Sequence, residues 1–270
     1  MPLVNYHTHT TYCDGKNTPE EMILAAISEG FSELGFSTHS PIYGANYSIR
    51  RENLPRYVSE LRELSVKYSD RIKIYVGIEA DILSDIDLSE FDYVIGSAHF
   101  VCPEGKYFDV DRSALDTRNI ISEFYHGDPY AYCEAYFAEA AKIYKRTNAD
   151  IIGHFDLLTK FIEVDPIFSI RHPRYIAARD SALSELLSTP AVFEVNTGAI
   201  SRGYRTSPYP DTEVLKAIKA KGKGVVVNSD SHAAATLSTE LESTARRLSE
   251  MGITCYSDLE SILKITRKNK

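Results

Sequence analysis

The chain has 270 residues, of which 43% are hydrophobic and 25% are charged, and its formal net charge is −8. This length is typical of one α/β barrel of about 250 residues, and the balance of apolar and charged residues is typical of a globular protein. The acidic charge argues against binding along a nucleic-acid backbone, because such proteins carry basic surfaces. An anionic small substrate stays open, since a few local cations reverse the charge of one pocket.

The N-terminal sequence and the cysteines indicate where the protein works. The stretch MPLVNYHTHT has no basic segment followed by an apolar run, so no signal peptide is expected. No apolar run approaches the roughly 20 residues of a membrane-spanning helix. The four cysteines are scattered without a CxxC pair, which is typical of free thiols in a reducing compartment. We therefore expect a cytoplasmic protein without a membrane partner.

Helical segments alternate with short apolar runs along the chain. After the first run, LVNYH, the residues Thr18, Pro19 and Glu21 form a capping box that predicts a helix start, and Gly30 is suited to end that helix. Apolar spacing and turn residues predict further helices. These lie at 52–70, at 128–148 as one long helix, at 173–187, at 211–222, at 238–252 and at 258–266.

The apolar runs predict seven parallel strands. They are continuous rather than alternating, which is typical of parallel strands that are buried on both faces. The runs are LVNYH, ELGFSTH, IKIYVGIEAD, FDYVIGSAH, ADIIGHFD, AVFEVNTG and KGVVVNSDSH. Strands that alternate with helices predict a parallel sheet, either open or closed into a barrel.

The connections between these runs favour one closed domain. No GxGxxG or GxxxxGKS loop follows a strand run, which counts against the nucleotide-binding open sheets. There is no internal repeat and no long linker, so we expect a single domain over residues 1–270. The longest irregular stretch, 100–128, is expected to form a flap over a site.

Most histidines occupy the same kind of position. Six of the eight histidines lie at or just past the end of an apolar run. They are His7, His9, His39, His99, His154 and His232. Glu79 and Asp230 end such runs as well. Because the carboxyl ends of barrel strands converge on one face, these side chains are expected to meet at one site.

Local spacing supports a metal site. Residues i and i+2 of a strand point the same way, so His7 with His9, and Asp230 with His232, can each present two ligand atoms to one cavity. Imidazole and carboxylate ligands without thiolate suit zinc, iron or manganese. A single histidine at a strand end is more often a structural residue, but so many at strand ends indicate ligands.

Seven motifs together carry a family resemblance. HTHTTYCDG, FSTHSP, GIEAD, DYVIGSAHF, IIGHFD, FEVNTG and VNSDSH resemble motifs of the polymerase-and-histidinol-phosphatase (PHP) superfamily. DYVIGSAHFV and HFDLLTKF, with the chain length, are most similar to its histidinol-phosphate phosphatase branch. The resemblance runs from His7 to His232 and implies a distorted (β/α)7 TIM-like barrel of the α/β class, built as a PHP-type metal-dependent hydrolase domain.

The resemblance also implies a site of three divalent ions, either zinc, iron or manganese. By motif, the ligands of a first ion are His7, His9, Glu79 and Asp230. Those of a second ion are Asp14 and His39, with Glu79 bridging. Those of a third ion are His99, His154 and His232. Several family members have histidine at position 14, so Asp14 makes this site more anionic and leaves its ion open.

The activity that the resemblance implies is hydrolysis of L-histidinol phosphate to L-histidinol and phosphate, a step of histidine biosynthesis. A hydroxide that bridges two ions would attack the phosphorus. The sequence has no Cys-x5-Arg loop and no DxDx motif for a phosphoenzyme. Asp230 and His232 are the candidate catalytic residues, as proton donors to the leaving group, although both are also assigned to metal.

The phosphate requires further cations. Arg202 and Arg205 follow the sixth strand run, and Lys160 follows the fifth. A guanidinium suits bidentate phosphate contact, although each of these residues could instead be a surface charge. Tyr107, Phe108 and Asp109 in the long loop are candidates for binding the amine or imidazole of the substrate.

Two other functions stay open at this point. One is a PHP-type phosphoesterase acting on another small ester or nucleotide, and the other is a metal-binding protein without turnover. The expected partner is a small-molecule phosphate ester, and no nucleic-acid partner is expected. The sequence leaves the oligomeric state open.

Overall fold

Parallel pairing joins seven strands in the order in which they follow one another along the chain. The computed structural model describes residues 2–267. Each predicted strand run overlaps one of these seven strands, and the second strand begins two residues before its run; a separate antiparallel hairpin adds two more strands. Four strands of the sheet precede the hairpin: β1 (Leu3–Asn5), β2 (Phe31–His39), β3 (Lys73–Asp81) and β4 (Tyr93–Ser97). The hairpin strands are β5 (Phe100–Val101) and β6 (Phe108–Asp109). The other three strands of the sheet are β7 (Ile151–Ile152), β8 (Val192–Asn196) and β9 (Val225–Asn228).

The two outer strands of the sheet meet just past their carboxyl ends. The backbone N–H of His9 donates to the carbonyl of Ser231 at 2.8 Å, and the N–H of Ser231 donates to the carbonyl of His7 at 3.2 Å. The backbone N–H of Tyr6 also donates to Oδ1 of Asn228 at 2.8 Å. These bonds nearly close the sheet, and the expected distorted (β/α)7 barrel is confirmed.

Helices connect the strands and cover the outside of the barrel. Within residues 2–267 they are α1 (Pro19–Ser28), α2 (Leu54–Lys67), α3 (Ala114–Phe124), α4 (Pro129–Ala140), α5 (Ile143–Thr147), α6 (Pro173–Leu187), α7 (Gly198–Ser201), α8 (Thr212–Ala220), α9 (Leu241–Glu250) and α10 (Leu259–Thr266). The capping box of α1 is formed as predicted, because Thr18 and Glu21 each bind the backbone N–H of the other.

The long helix predicted over 128–148 is wrong, because the chain turns at residues 141–142 and forms two helices, α4 and α5. The turn allows α5 to lie directly on β4. Gly96 permits this contact, since a Cβ atom there would lie 2.5 Å from Oγ1 of Thr147 and 2.6 Å from Cγ2 of Ile143. A straight helix would carry these two side chains away from the strand.

The stretch 100–128 is more regular than predicted. It contains the β5–β6 hairpin and α3, whose first turn is capped by Ser113. The N–H of Val110 donates to the carbonyl of His99 at 2.9 Å, which fixes the hairpin to the end of β4. Within the described residues, no helix combines the length and apolar character needed to cross a membrane. The predicted domain range 1–270 includes Met1 and 268–270, which lie outside the described residues.

The end of the barrel opposite the strand carboxyl ends is apolar and sealed. Tyr6 and Tyr93 are buried in one cluster with Leu259 and Ile262 of α10. The hydroxyl of Tyr6 donates to Glu33 at 2.7 Å. Because α10 covers this end, solvent reaches the barrel interior from the end where the histidines lie.

Asp150 anchors α10 to the barrel, and its replacement by alanine should destabilise the fold. Its buried carboxylate accepts hydrogen bonds from Thr266 Oγ1 at 2.8 Å, from Arg267 Nη2 at 2.7 Å and from the N–H of Val94 at 3.1 Å. We expect Asp150→Ala to lower the free energy of unfolding by about 2–4 kcal/mol, because these donors lose their acceptor. Denaturant titration measures the change. Asp70→Ala, at an exposed position, should stay within about 0.5 kcal/mol, and an equal loss in both variants would contradict the anchoring role.

Candidate metal centre

The mouth of the barrel gathers all nine residues that the sequence predicted as metal ligands. Each follows or ends a parallel strand, and the carboxyl ends of these strands face the same side. The nine are His7 and His9 after β1, Asp14 in the loop that follows, His39 at the end of β2, Glu79 in β3, His99 after β4, His154 after β7, and Asp230 and His232 after β9. Side chains from both ends of the chain therefore share one site.

The buried carboxylate of Glu79 lies at the centre of this cluster. Its Oε2 atom lies 2.8 Å from Nδ1 of His39 and 3.3 Å from Nε2 of His7. The same oxygen lies 3.7 Å from Nε2 of His9. One carboxylate oxygen thus faces imidazoles from two strand ends.

The other oxygen of Glu79 faces the opposite half of the cluster. Oε1 lies 2.9 Å from Nε2 of His154 and 3.3 Å from Nε2 of His99, and it accepts a hydrogen bond from Ser97 at 2.7 Å. Two groups of ligand atoms, each within 4.8 Å of one another, share this glutamate: His7, Glu79 and His154, and His39, Glu79 and His99. Glu79 therefore has the geometry of a bridging ligand.

Asp230 adds a second carboxylate between the N-terminal histidines. Its Oδ1 lies 3.2 Å from Nε2 of His9 and 3.6 Å from Nε2 of His7. Its Oδ2 accepts a hydrogen bond from Nη2 of Arg202 at 2.9 Å. Gly198 makes room for this pair, since a Cβ atom there would lie 2.7 Å from Nη2 of Arg202 and 3.0 Å from Cβ of Asp230. A larger residue would separate the arginine from the carboxylate.

His232 lies in a different part of the cluster from the one that the sequence predicted. It was grouped with His99 and His154, but its Nε2 lies 3.4 Å from Oδ1 of Asp14. Nε2 of His39 lies 3.7 Å from the same oxygen. A group of ligand atoms within 4.8 Å of one another belongs to His9, Asp14, His39 and His232. The geometry therefore assigns His232 to the Asp14 side.

The backbone explains this placement of His232. Asp230 has φ of +50°, in the left-handed region that aspartate tolerates better than most residues. The chain then runs beside the segment that follows β1, where the N–H of Lys16 donates to the carbonyl of His232 at 2.8 Å. This turn carries His232 away from the end of β7.

The donor atoms fit divalent metal ions. Nε2 of His7, Nε2 of His9 and Oε2 of Glu79 are buried and have no hydrogen-bond partner within residues 2–267. A buried polar atom without a partner costs about 1–3 kcal/mol. Imidazole nitrogens and carboxylate oxygens form a donor set that suits zinc, iron or manganese. A cation between these atoms would satisfy all three.

The carboxylates of the cluster are ionised at neutral pH. Burial alone would raise the pKa of Glu79, but the neighbouring imidazoles, with His39 first, hold this pKa well below its ordinary value. Burial also opposes ionisation of Asp230, and the guanidinium of Arg202 is the first of the charges that hold its pKa well below the usual range. The site therefore presents fixed negative charge to a cation.

His9 is neutral at the same pH. Burial, followed by the charges of His232 and His39, lowers the pKa of His9 to about 3. An imidazole binds a metal ion in its neutral form. His9 is therefore ready to act as a ligand without first losing a proton.

The sequence analysis missed two carboxylates that contact predicted ligand histidines at the ring nitrogen that faces away from Glu79. Glu194 Oε1 lies 2.7 Å from Nδ1 of His7, and Asp81 Oδ2 lies 3.0 Å from Nδ1 of His99. Burial raises the pKa of Glu194, but the charge and the hydrogen bond of His7 outweigh it, and the pKa is lowered overall. Both acids stand in the motifs GIEAD and FEVNTG at strand ends, and this position was the available signal.

A cavity of about 910 Å³ opens above the cluster. Of the residues predicted to bind substrate, Arg202 and Lys160 line this cavity. Nζ of Lys160 lies 2.9 Å from Oδ2 of Asp111. Lys16, which the sequence analysis did not single out, lines the cavity as well. The mouth thus carries cations beside the acidic cluster.

Arg205 does not line the cavity with the other predicted substrate residues. Its side chain is buried, donates to Oγ1 of Thr159 and to Oγ of Ser207, and stacks on the ring of Tyr209 at 4.6 Å. These contacts hold the guanidinium inside the protein through both of its Nη atoms. Arg205 supports the loop that carries Lys160 rather than facing the cavity.

The fold and the cluster together define a barrel protein with a candidate polynuclear metal centre at its mouth. The model of the PHP domain family matches residues 5–198. The chain belongs to the PHP domain family, and the resemblance seen in the sequence is confirmed.

Relatives of similar length carry related names. A Deinococcus radiodurans protein named "Probable histidinol-phosphatase" is 25% identical over 267 residues, with 93% of this chain and 94% of the relative covered. A Lactococcus lactis histidinol-phosphatase is 25% identical over 253 residues, with 87% and 86% covered. One similar solved structure is the crystal structure of histidinol phosphate phosphatase from Lactococcus lactis complexed with zinc, L-histidinol and phosphate. Its sequence identity to this chain is 22% and the TM-score is 0.69. The match covers 93% of this chain and 94% of that one. That structural likeness shows a shared fold.

Replacing His9 should remove metal from the centre. His9 contributes a ligand atom to two groups, one with Asp14, His39 and His232 and another with His7 and Asp230. We expect His9→Ala, stripped with chelator and reloaded with zinc, to retain at least one zinc ion fewer per chain than the unmodified protein. Elemental analysis measures the zinc content. His126→Ala, at an exposed position outside the cluster, serves as the control and should keep the full content. Unchanged zinc in His9→Ala would remove His9 from the ligand set.

Proposed function

We propose that this protein is a divalent-metal-dependent phosphomonoesterase that hydrolyses L-histidinol phosphate to L-histidinol and inorganic phosphate. The observation that carries the proposal is the Glu79-centred cluster, which opens into a cavity lined by Arg202 and Lys160. The relatives named as histidinol-phosphatases, which match along most of their length, support this substrate.

We further propose three ions, held at the three parts of the cluster. Zinc is supported by the relative whose structure contains it, and iron and manganese suit the same donors. The three proposed ligand sets are His7, His9, Glu79 and Asp230; Glu79, His99 and His154; and Asp14, His39 and His232. Bound divalent ions supply a water of lowered pKa and positive charge beside the phosphoryl oxygens.

The side chains at the mouth bind and orient the ester. Arg202 presents a planar guanidinium suited to two phosphate oxygens, and Lys160 adds a point charge. Arg202 is held in position by Asp230, because its Nη2 donates to Oδ2 at 2.9 Å and its Nη1 donates to the carbonyl oxygen at 3.3 Å, while the side chain lines the cavity. The phosphate is thereby oriented against the cluster before reaction.

Another wall of the cavity suits the cationic part of the substrate. Asp109 lines the cavity, and its hydrogen-bond partner is the hydroxyl of Tyr47 at 3.4 Å. A carboxylate there complements an amine or a protonated imidazole. The proposed pose places the phosphate at Arg202 and the amine end at Asp109.

Asp230 and His232 are the proposed catalytic residues. Asp230 contacts both the N-terminal histidines and Arg202, and it links the ion cluster to the phosphate. His232 is more exposed than the other cluster histidines and borders the cavity. Both therefore lie where an attacking water and the ester would meet.

The four free thiols support the expected reducing cytoplasm.

Phosphate release should depend on metal and favour one ester. We expect the zinc-loaded or manganese-loaded protein to hydrolyse L-histidinol phosphate at least about 100-fold faster, in kcat/KM, than p-nitrophenyl phosphate, because only the former fills both walls of the cavity. Chelation should abolish release and added metal should restore it. A phosphate assay measures both.

Two results would contradict this function. Equal, low rates on every ester would favour a phosphoesterase with another substrate. No hydrolysis of any ester by the metal-loaded protein would favour metal binding without turnover. The open cavity argues against the latter, because a structural site fills its coordination positions with protein ligands.

We expect the planar shape of the Arg202 guanidinium to contribute to substrate binding beyond its positive charge alone. Arg202→Lys keeps the charge beside Asp230 but removes the planar fork, so we expect KM to rise about tenfold, the value of one charge-assisted hydrogen bond. Zinc content should stay unchanged. Arg246→Lys, on the exposed face of α9, is the matched control and should leave KM unaltered. Unaltered KM and kcat in Arg202→Lys would exclude bidentate phosphate contact.

A further inference from the structure

Glu194 lies behind the predicted metal ligands, and the proposed reaction gives it no role. It lies in β8, and its carboxylate is buried. Oε1 lies 2.7 Å from Nδ1 of His7 and accepts a hydrogen bond from Nδ2 of Asn228 at 2.9 Å. Oε2 accepts hydrogen bonds from the backbone N–H of His154 at 3.0 Å and from Nδ2 of Asn196 at 2.9 Å. Four partners from four strand ends thus hold one carboxylate.

The contact with His7 decides which nitrogen faces the cluster. An imidazole whose Nδ1–H donates to a carboxylate carries its lone pair on Nε2. Nε2 of His7 faces Glu79 at 3.3 Å and Asp230 at 3.6 Å, and it has no hydrogen-bond partner. These neighbours offer acceptor oxygens, so a lone pair directed at them needs a cation between.

The contact with His154 fixes a second ligand segment. Its backbone N–H is bound by the same carboxylate, and its Nε2 lies 2.9 Å from Oε1 of Glu79. His7, Glu79 and His154 form one of the groups whose ligand atoms lie within 4.8 Å of one another. Glu194 therefore touches two of the three members of this group from the side opposite the ions.

We propose that Glu194 is a positioning residue for the metal centre, which fixes the ring orientation and tautomer of His7 and the placement of His154 through one buried carboxylate. The inference rests on the proposed function only in that the cluster binds divalent ions. Asp81 makes the corresponding Nδ1 contact with His99, but its other contacts, with the N–H groups of His99 and Leu83, stay within the β3–β4 side. Glu194 joins the ends of β1 and β7 instead.

Zinc affinity tests this role directly. Glu194→Gln keeps the size of the side chain and removes the charge that holds Nδ1–H of His7. Loss of such a carboxylate typically costs 10–100-fold in metal affinity. We expect the tightest-bound zinc of Glu194→Gln to be released to a chromogenic chelator with an apparent affinity about 10–100-fold lower. Thermal unfolding of the metal-free proteins shows whether the fold is kept.

Glu33→Gln is the matched control. Glu33 is another buried glutamate of the barrel, and it is bound by the hydroxyl of Tyr6 at 2.7 Å and by the N–H of Leu259 at 3.1 Å, with no histidine contact. The same substitution there should lower stability and leave zinc affinity unchanged. A merely structural role for Glu194 predicts the same behaviour in both variants.

The results separate the alternatives. Lower zinc affinity in Glu194→Gln and unchanged affinity in Glu33→Gln support the proposal. Equal affinity in Glu194→Gln and the unmodified protein, or an equal loss in the two variants, overturns it. If Glu194→Gln does not fold, Glu194→Asp replaces it, since the shortened side chain keeps the charge but loses the contact with His7. Unchanged zinc affinity in that variant overturns the proposal. Zinc binding that depends on Glu194 without hydrolysis of histidinol phosphate would reject the proposed function alone.

Discussion

A buried carboxylate among imidazoles is the constraint on which this structure depends. An isolated ionised carboxylate is expensive to bury, and the usual outcome is a raised pKa and a neutral acid. Glu79 instead has imidazole nitrogens within 3.7 Å of both oxygens, and its pKa is lowered. Among the described residues, Nε2 of His7, Nε2 of His9 and Oε2 of Glu79 find no hydrogen-bond partner. The negative charge of the cluster is therefore compensated only when positive charge lies between its imidazole and carboxylate atoms, and divalent ions supply that charge.

The barrel makes this arrangement available. Strand pairing places His39 directly beside Glu79, because these two residues are partners in the register of β2 and β3. The close approach of β1 and β9 then brings His7 and His9 against Asp230. The opposite end is filled by tyrosines and covered by α10. Apolar and aromatic side chains thus fill one end of the barrel, and the histidine and carboxylate cluster occupies the other.

The sequence predicted which residues belong to the cluster better than it predicted which of them lie next to one another. Strand ends are visible in the hydrophobic pattern, and convergence of those ends is a property of any parallel barrel. The placement of His232 could not be read in this way, because it depends on the left-handed turn at Asp230. The break between α4 and α5 likewise depends on Gly96, a contact between segments distant in the sequence. Arg205 carries the right chemistry for phosphate, yet its loop turns it inward onto Tyr209.

Arg202 links the acidic cluster to the cavity above it. Its guanidinium contacts Asp230, which in turn faces His7 and His9, while the same side chain borders the cavity. Phosphate brought to this arginine therefore lies next to the cluster, and its negative charge is met by both. Lys160 differs, because Asp111 already neutralises it and no ligand histidine touches it. Within the described residues, Arg202 is therefore linked to the cluster through Asp230, whereas Lys160 is held by Asp111, which is not one of the predicted ligands.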